Sequence, residues 1–243
     1  MTERRGGEID IHTPGNPKER KLMQMAKSNA SENNYSAKEN QILYSLRKKL
    51  QLSNFPNRIE AIDASHLSGS GVVVGQVVFE QGVPKKDSYR IYKFPELSGS
   101  FDDYAALSAW VERRCESGAP WPDLVVIDGG KGQLGAVERT VRMYNENKAN
   151  LESAGSSDLQ PISWDLVSIA KNDPHTQEST DRIFLPGRKN PLNLKSGEKE
   201  LLFLQNLRDN VHRFVLSKQK RVRNSDTYAG SVITQSGIGP KTA

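Results

Sequence analysis

Two aspartates in this sequence close runs of apolar residues in the same way. In "PDLVVIDGGKGQL", Pro122–Leu134, Asp128 follows four apolar residues and precedes two glycines; in "IEAIDASH", Ile59–His66, Asp63 ends a similar run. Short apolar runs bounded by turn residues predict buried strands. Both carboxylates are therefore expected at strand carboxyl ends, the edge of an α/β sheet where ligands gather. If the two strands are neighbours, a spacing of about 4.8 Å lets both carboxylates grip one ion. Oxygen donors suit a hard divalent cation such as Mg²⁺ or Mn²⁺, and a cation so held activates water and stabilises charge on phosphate oxygens. Taken singly, each aspartate is read equally well as the cap of the turn or helix that follows.

Other groups share this double character. "DGGKGQL" lacks the Gly, four residues, Gly-Lys-Ser/Thr pattern of a nucleotide phosphate loop, with Gln133 in the place after "GKG". Its glycines suit a sharp strand-to-helix turn, and Lys131 is free to face a phosphate or the solvent. His212 lies in "NLRDNVHRFVLSKQKRVR", with Arg208 and Asp209 on its side of a helix. An imidazole there can relay a proton or ligate a metal, or be an ordinary half-exposed histidine. Lys218, Lys220, Arg221 and Arg223 form either a phosphate-binding stripe or a set of favourable charges at a helix C-terminus. Asp102 and Asp103 open the helix of "SFDDYAALSAWVERR"; one suffices to cap it, leaving the other to reach the site as a third carboxylate. His66 either supports the site or caps a turn. His12 and His175, in polar surroundings, attract no role.

The elements that must position these groups read as follows. A polar start with a short "EIDIH", fit for an edge strand, leads into a helical region whose register lapses in a Ser/Asn-rich middle and resumes at Ile42, Leu43, Leu46 and Leu50. From Arg58 come a strand, a hairpin turning at "EQGVPKK", a helix from Asp102 to about Glu116, the strand "DLVVID" and a helix with Leu134, Val137 and Val141 on one face. Residues 145–162 carry no sustained period and predict a loop. "WDLVSIAK" is a further strand, "RIFLPG" marks a short hairpin, and a last helix runs from Glu198 to about Val222. A meander followed by alternating helices and strands predicts an α/β fold with a mixed sheet flanked by helices. The expected divisions are a polar segment and helical arm over 1–57, the main domain over 58–225 and a tail over 226–243.

Composition sets outer bounds. The 243 residues, 35% of them hydrophobic, suffice for one good-sized domain with appendages. A formal charge of +5 fits a partner rich in phosphate without demanding one. Cys115, the sole cysteine, excludes an intramolecular disulfide and a multi-cysteine zinc site, and suits a reducing, cytoplasmic compartment. No run approaches the length of a membrane span, and "MTERRGG" lacks a signal peptide's apolar core.

The segments "IEAIDASH", "VVFEQGVPKKDSYRIYKF", "DDYAAL", "LVVIDGGKGQL", "FLPGRKNPL" and "LRDNVHRFV", in this order, closely resemble the C-terminal half of excinuclease C, the nucleotide excision repair nuclease of bacteria. The resemblance implies a ribonuclease H-like fold that cuts damaged double-stranded DNA on the 5′ side of a lesion. It places catalytic aspartates on Asp63 and Asp128, a catalytic histidine on His212, and a further acidic residue on Asp102, with Asp103 the adjoining alternative. Asp63, Asp128 and Asp102 become the expected ligands of Mg²⁺ or Mn²⁺, and Lys131, Arg208, Lys218, Lys220, Arg221 and Arg223 the expected contacts to the DNA backbone. Two departures stand out: "DASH" replaces the family's "DISH", and Asn210 occupies a place where an acid is usual. The implied partner is the helicase-like damage-recognition subunit, although its usual docking segment has no clear match before residue 58. "ITQSGIGPKTA" resembles the start of a helix-hairpin-helix unit, so the chain is expected to be a fragment of a longer enzyme. The competing readings are a catalytically incomplete DNA-binding or protein-docking module of this fold, and a purely structural domain with basic surfaces.

Overall fold

A computed structural model describes residues 16–67, 71–97, 102–153, 161–172 and 180–233. The chain divides into two compact units, Met1–Glu39 and Asn40–Ala243, and one helix, α1 (Pro17–Leu50), spans the division. In the second unit its final turns insert Leu43, Leu46 and Leu50 into the core, spacings of three and four that share one face. Helical backbone persists through the Ser/Asn-rich stretch where the apolar register lapses. The "EIDIH" and "ITQSGIGPKTA" segments, with His12 and His175, lie outside the described residues. Among the described residues, no helix is long and apolar enough to cross a membrane.

The remaining elements are β1 (Arg58–Leu67), β2 (Gly71–Glu80), β3 (Val83–Pro84), β4 (Arg90–Phe94), α2 (Asp103–Glu116), β5 (Leu124–Asp128), α3 (Lys131–Ser153), β6 (Asp165–Ala170), β7 (Arg182–Phe184) and α4 (Lys199–Ile233). Seven strands form one mixed sheet in the order β3-β2-β1-β5-β6-β7, with β4 also paired to β2. The β1–β5 and β5–β6 pairs are parallel, and the β1–β2 and β6–β7 pairs antiparallel. The mixed sheet flanked by helices is thus the one the element pattern implies.

Side-chain alternation divides the core into two layers. Ile59, Ala61, Leu124, Val126, Val167 and Ile169 pack beneath α4 and the end of α1. Ile62, Val125, Ile127 and Leu166 pack on the other face, with Leu107 and Trp110 of α2 and Leu134 and Val137 of α3. Ile62 pairs with Ile127 across the β1–β5 ladder. One step further along both strands stand Asp63 and Asp128, and the two-residue period returns them to the face of Ala61 and Val126. Both carboxylates therefore look toward α4.

α4 comes unusually near the sheet at this point. Gly75 lies opposite Asp63 in the β1–β2 ladder, and a β-carbon built on it would stand 2.2 Å from Val215 Cγ2. Only a residue without that carbon admits the helix so closely, and His212 sits one turn before Val215. On the opposite face, fully buried Glu60 accepts from Arg58 Nε at 3.1 Å and from Arg114 Nε and Nη2 at 2.8 and 3.0 Å. Charge pairing of this kind is what a carboxylate without exposed surface requires, and it ties the end of α2 to the sheet.

Two expectations need correction. The loop expected over 145–162 is helical in its first part, because α3 continues to Ser153. Where the expected loop begins, Asn145 Nδ2 donates to Ile162 O and Ile162 N–H donates to Asn145 Oδ1, both at 2.9 Å. α4 likewise runs on past Val222 to Ile233.

The Gly75 contact yields a stability test. Gly75→Ala is expected to destabilise the protein by about 1–3 kcal/mol through overpacking. Val215→Ala, itself a destabilising core truncation, should recover part of that loss in the double variant. Urea unfolding of the four proteins measures the coupling; strictly additive losses would mean that helix and strand do not meet at this point.

Candidate active site

The turn after β5 accounts for most of "DGGKGQL". Gly130 N–H donates to Gln133 Oε1 at 2.7 Å, so the third residue of α3 reaches back and satisfies a donor at the helix start. A β-carbon on Gly129 would lie 2.0 Å from that Gln133 oxygen, and one on Gly132 would lie 2.7 Å from the Tyr104 hydroxyl. The glycines thus make room for a capping side chain and for a residue of α2. This permits the chain to turn from strand to helix directly after Asp128.

Three elements then converge. His212 Nδ1 lies 3.1 Å from Asp63 Oδ2 and 3.9 Å from Asp128 Oδ2. One ligating atom from each residue falls within 4.8 Å of the other two. The aspartate side chains are 11% and 17% exposed, the imidazole 44%: two carboxylates sit in a shallow recess with a histidine at its mouth. An ionised Asp63 only accepts, so the 3.1 Å contact is a ring N–H donating to it. Nε2 is then the basic nitrogen.

Burial raises the pKa of both carboxyl groups, because removing water disfavours the charged form. For Asp63 the opposing pull is the hydrogen bond and charge of His212. Asp128 is pushed up to about 7, by burial first and then by the charge of Asp63. Arg208, His212 and Lys171 counter this at Asp128, and Lys171 also acts on Asp63. Two desolvated carboxylates that repel each other are the arrangement a divalent cation relieves. With His212 Nδ1–H turned to Asp63, the donors left for an ion are carboxylate oxygens, which suit Mg²⁺ or Mn²⁺. The residues present fit such an ion.

The other expected site residues distribute differently. Asp102 does not join the cluster: its Oδ1 accepts from the N–H groups of Tyr104 and Ala105 at 2.9 and 3.0 Å, capping α2. Asp103 turns inward instead, with Oδ1 3.0 Å from His66 Nε2 and its charge acting on Asp63. Arg208, expected among backbone contacts, is only 7% exposed, and its guanidinium is spent on Asp181 and Asp209. Its position four residues before His212 turns it toward the sheet, so it is an interior support and not part of a surface stripe. Lys218 sits 5.5 Å from the centre of the Phe214 ring. The side chains of Lys220, Arg221 and Arg223 lie outside the described residues. Exposed Lys131 donates to Lys189 O at 3.1 Å, and with Arg188 and Lys189 it borders a cavity of about 340 Å³ three residues beyond Asp128. Asn210 donates along the helix to Asn206 O at 2.8 Å, on the far side from the cluster.

Several supports escaped the sequence reading. Asp181 holds Arg208, and Gln219 Nε2 donates to Ser65 Oγ at 2.7 Å and to His66 O at 3.2 Å, fastening α4 to the end of β1. Lys171 follows directly on β6, so "LVSIAK" carries the strand-end signal that exposed Asp63 and Asp128.

An antiparallel β1–β2 pair beside the parallel β1–β5–β6 strands, helices on both faces and an acidic cluster at the carboxyl edge define an α/β fold of the ribonuclease H class. Residues 47–216 match the UvrC RNase H endonuclease domain, and the chain belongs to that family. The UvrABC system protein C of Oleidesulfovibrio alaskensis is 41% identical over 249 residues, covering 100% of this chain and 34% of its own length. Its counterpart in Nitratidesulfovibrio vulgaris is 44% identical over 239 residues, covering 98% and 33%. The chain therefore spans about a third of the length of these relatives. Among solved structures, the C-terminal lobe of a budding yeast Argonaute overlaps 61% of this chain and 29% of its own at 13% identity, with a TM-score of 0.28, a likeness too slight to argue from.

Asp128 supplies a pH test. Its native pKa of about 7 exceeds the ordinary 3.8, so between these values the folded protein holds a proton that the unfolded chain has released. Stability of the cation-free protein is expected to fall as the pH rises through that window, by a few kcal/mol at most. Asp128→Asn should remove most of the slope. Urea midpoints measured across the window check this; an equal slope in the variant would exclude Asp128 as its source.

Proposed function

We propose that this chain is a divalent-cation-dependent DNA endonuclease module, hydrolysing a phosphodiester on the 5′ side of a lesion in nucleotide excision repair. The observation that carries the reading is the Asp63–Asp128–His212 cluster, with matched donor atoms from three separate elements within 4.8 Å, in a chain of the UvrC RNase H endonuclease family. Mg²⁺ or Mn²⁺, when bound, would supply positive charge to phosphate oxygens and make a nearby water more acidic. Asp63 and Asp128 would hold the ion. His212, its Nδ1–H anchored on Asp63, presents Nε2 to take a proton from the attacking water or to return one to the departing oxygen. Lys131, Arg188 and Lys189 hold the strand by its phosphates, contact that carries no base information. That suits an enzyme acting at lesions in any sequence, with damage selected by the helicase-like recognition subunit.

The test is nicking of a lesion-containing duplex by the chain together with that recognition subunit and Mg²⁺ or Mn²⁺. A nick on the 5′ side is expected. It should fall by about 100-fold or more in His212→Ala, and at least as far in Asp63→Asn and Asp128→Asn. Nicking indifferent to all three would place the chemistry elsewhere. No nicking by any protein would favour a DNA-binding or docking module of the same fold.

A further inference from the structure

Three parallel strands reach the edge that carries the cluster. β1 and β5 end at or near Asp63 and Asp128; β6 ends at Ala170 and is followed by Lys171. Asp128 pairs with Ile169 in the β5–β6 ladder. Ile169 belongs to the layer beneath α4, and Ala170 to the layer beneath α2 and α3. The two-residue period therefore returns Lys171 to the face of Asp63 and Asp128, two positions further out. The offset is about 7 Å along the strand and about 5 Å across it, a span that a flexible four-carbon side chain crosses.

The neighbouring cations have other places. Arg208 is held by Asp181 and Asp209, Lys131 donates to Lys189 O, and Arg188 and Lys189 border a separate cavity. Lys171 is exposed. Among the described residues its ammonium has no hydrogen bond and no ion pair, although both carboxylates feel its charge. Charge balance indicates what it is held for. Two carboxylates and one divalent cation cancel; a phosphodiester then adds one negative charge, and attack by a deprotonated water adds another.

We propose that the Lys171 ammonium binds a non-bridging oxygen of the scissile phosphate and stabilises the charge that grows there during hydrolysis. This rests on the nuclease reading above. The water oxygen bonds to phosphorus while the bond from phosphorus to one ester oxygen breaks. The water proton passes to His212 Nε2, the departing oxygen takes a proton from solvent, and the imidazolium then returns its proton to solvent. Lys171 keeps its own three protons throughout and contributes charge and N–H donors alone.

Lys171→Met and Lys171→Arg test this in single-turnover nicking at saturating DNA and Mn²⁺. The methionine variant is expected to be slower by about 100-fold, with affinities for DNA and Mn²⁺ within about threefold of the unaltered chain, and the arginine variant should recover part of the rate. An unchanged rate would overturn the proposal. So would a loss cancelled by more DNA, which marks a simple strand contact, or by more Mn²⁺, which marks an effect on the carboxylates. A second measurement needs no turnover: acylation of lysines, read by peptide mass spectrometry, with a duplex bound in Ca²⁺ and binding followed by fluorescence anisotropy. Lys171 should be protected several-fold while exposed Lys86, at the opposite edge of the sheet, is not. Equal labelling of Lys171 with and without bound DNA would sink the contact whether or not the chain nicks. Protection without any nicking by the unaltered chain would sink the hydrolytic reading and leave the phosphate contact standing.

Discussion

Strand register forces two carboxylates together, and much of the second unit answers to that constraint. Ile62 and Ile127 are ladder partners, so the next residue on each strand has no choice of neighbour. Asp63 and Asp128 repel one another in a recess that has lost most of its water, a combination no fold adopts for stability alone. The compensations lie around it in order of distance. His212 touches Asp63, Arg208 supports Asp128 through space, and Asp181 keeps Arg208 from becoming an uncompensated buried charge. A glycine in β2 makes this possible by letting the helix that carries His212 and Arg208 approach.

The two faces of β1 use charge in opposite ways. Glu60 is enclosed by Arg58 and Arg114 with its hydrogen-bonding capacity taken up, and it serves packing. Asp63, three residues later on the other face, keeps part of its surface open and has a single histidine partner. A satisfied carboxylate is structural; an under-satisfied one at an open edge is available for chemistry. Alternation along a single strand separates the two roles by a few ångströms.

What the sequence disclosed follows from which signals are local. An apolar run stopped by Asp and Gly is visible within a dozen residues, and so both aspartates and their strands could be named. Helical spacing likewise placed Arg208 and Asp209 on the side of the last helix that carries His212. Which of Asp102 and Asp103 caps α2 depends on side-chain direction at the helix start, which spacing does not encode. Arg208 was expected to contact the DNA backbone because its partner Asp181, 27 residues earlier in an irregular stretch, was not visible to the sequence reading. The last turns of α3 were invisible because no sustained apolar period marks them in the sequence.

The close packing of Val215 against Gly75 also has a mechanical meaning. α4 holds 35 residues, and at 1.5 Å per residue it is a rod of roughly 52 Å. Were the helix to pivot at the Gly75 contact, displacement would grow with distance from it. A tilt of about 5° about that point would swing the Ile233 end by ~2.4 Å, yet shift His212, three residues from the pivot, by only ~0.4 Å. A displacement at the distant end would then reach the imidazole and the two carboxylates strongly attenuated.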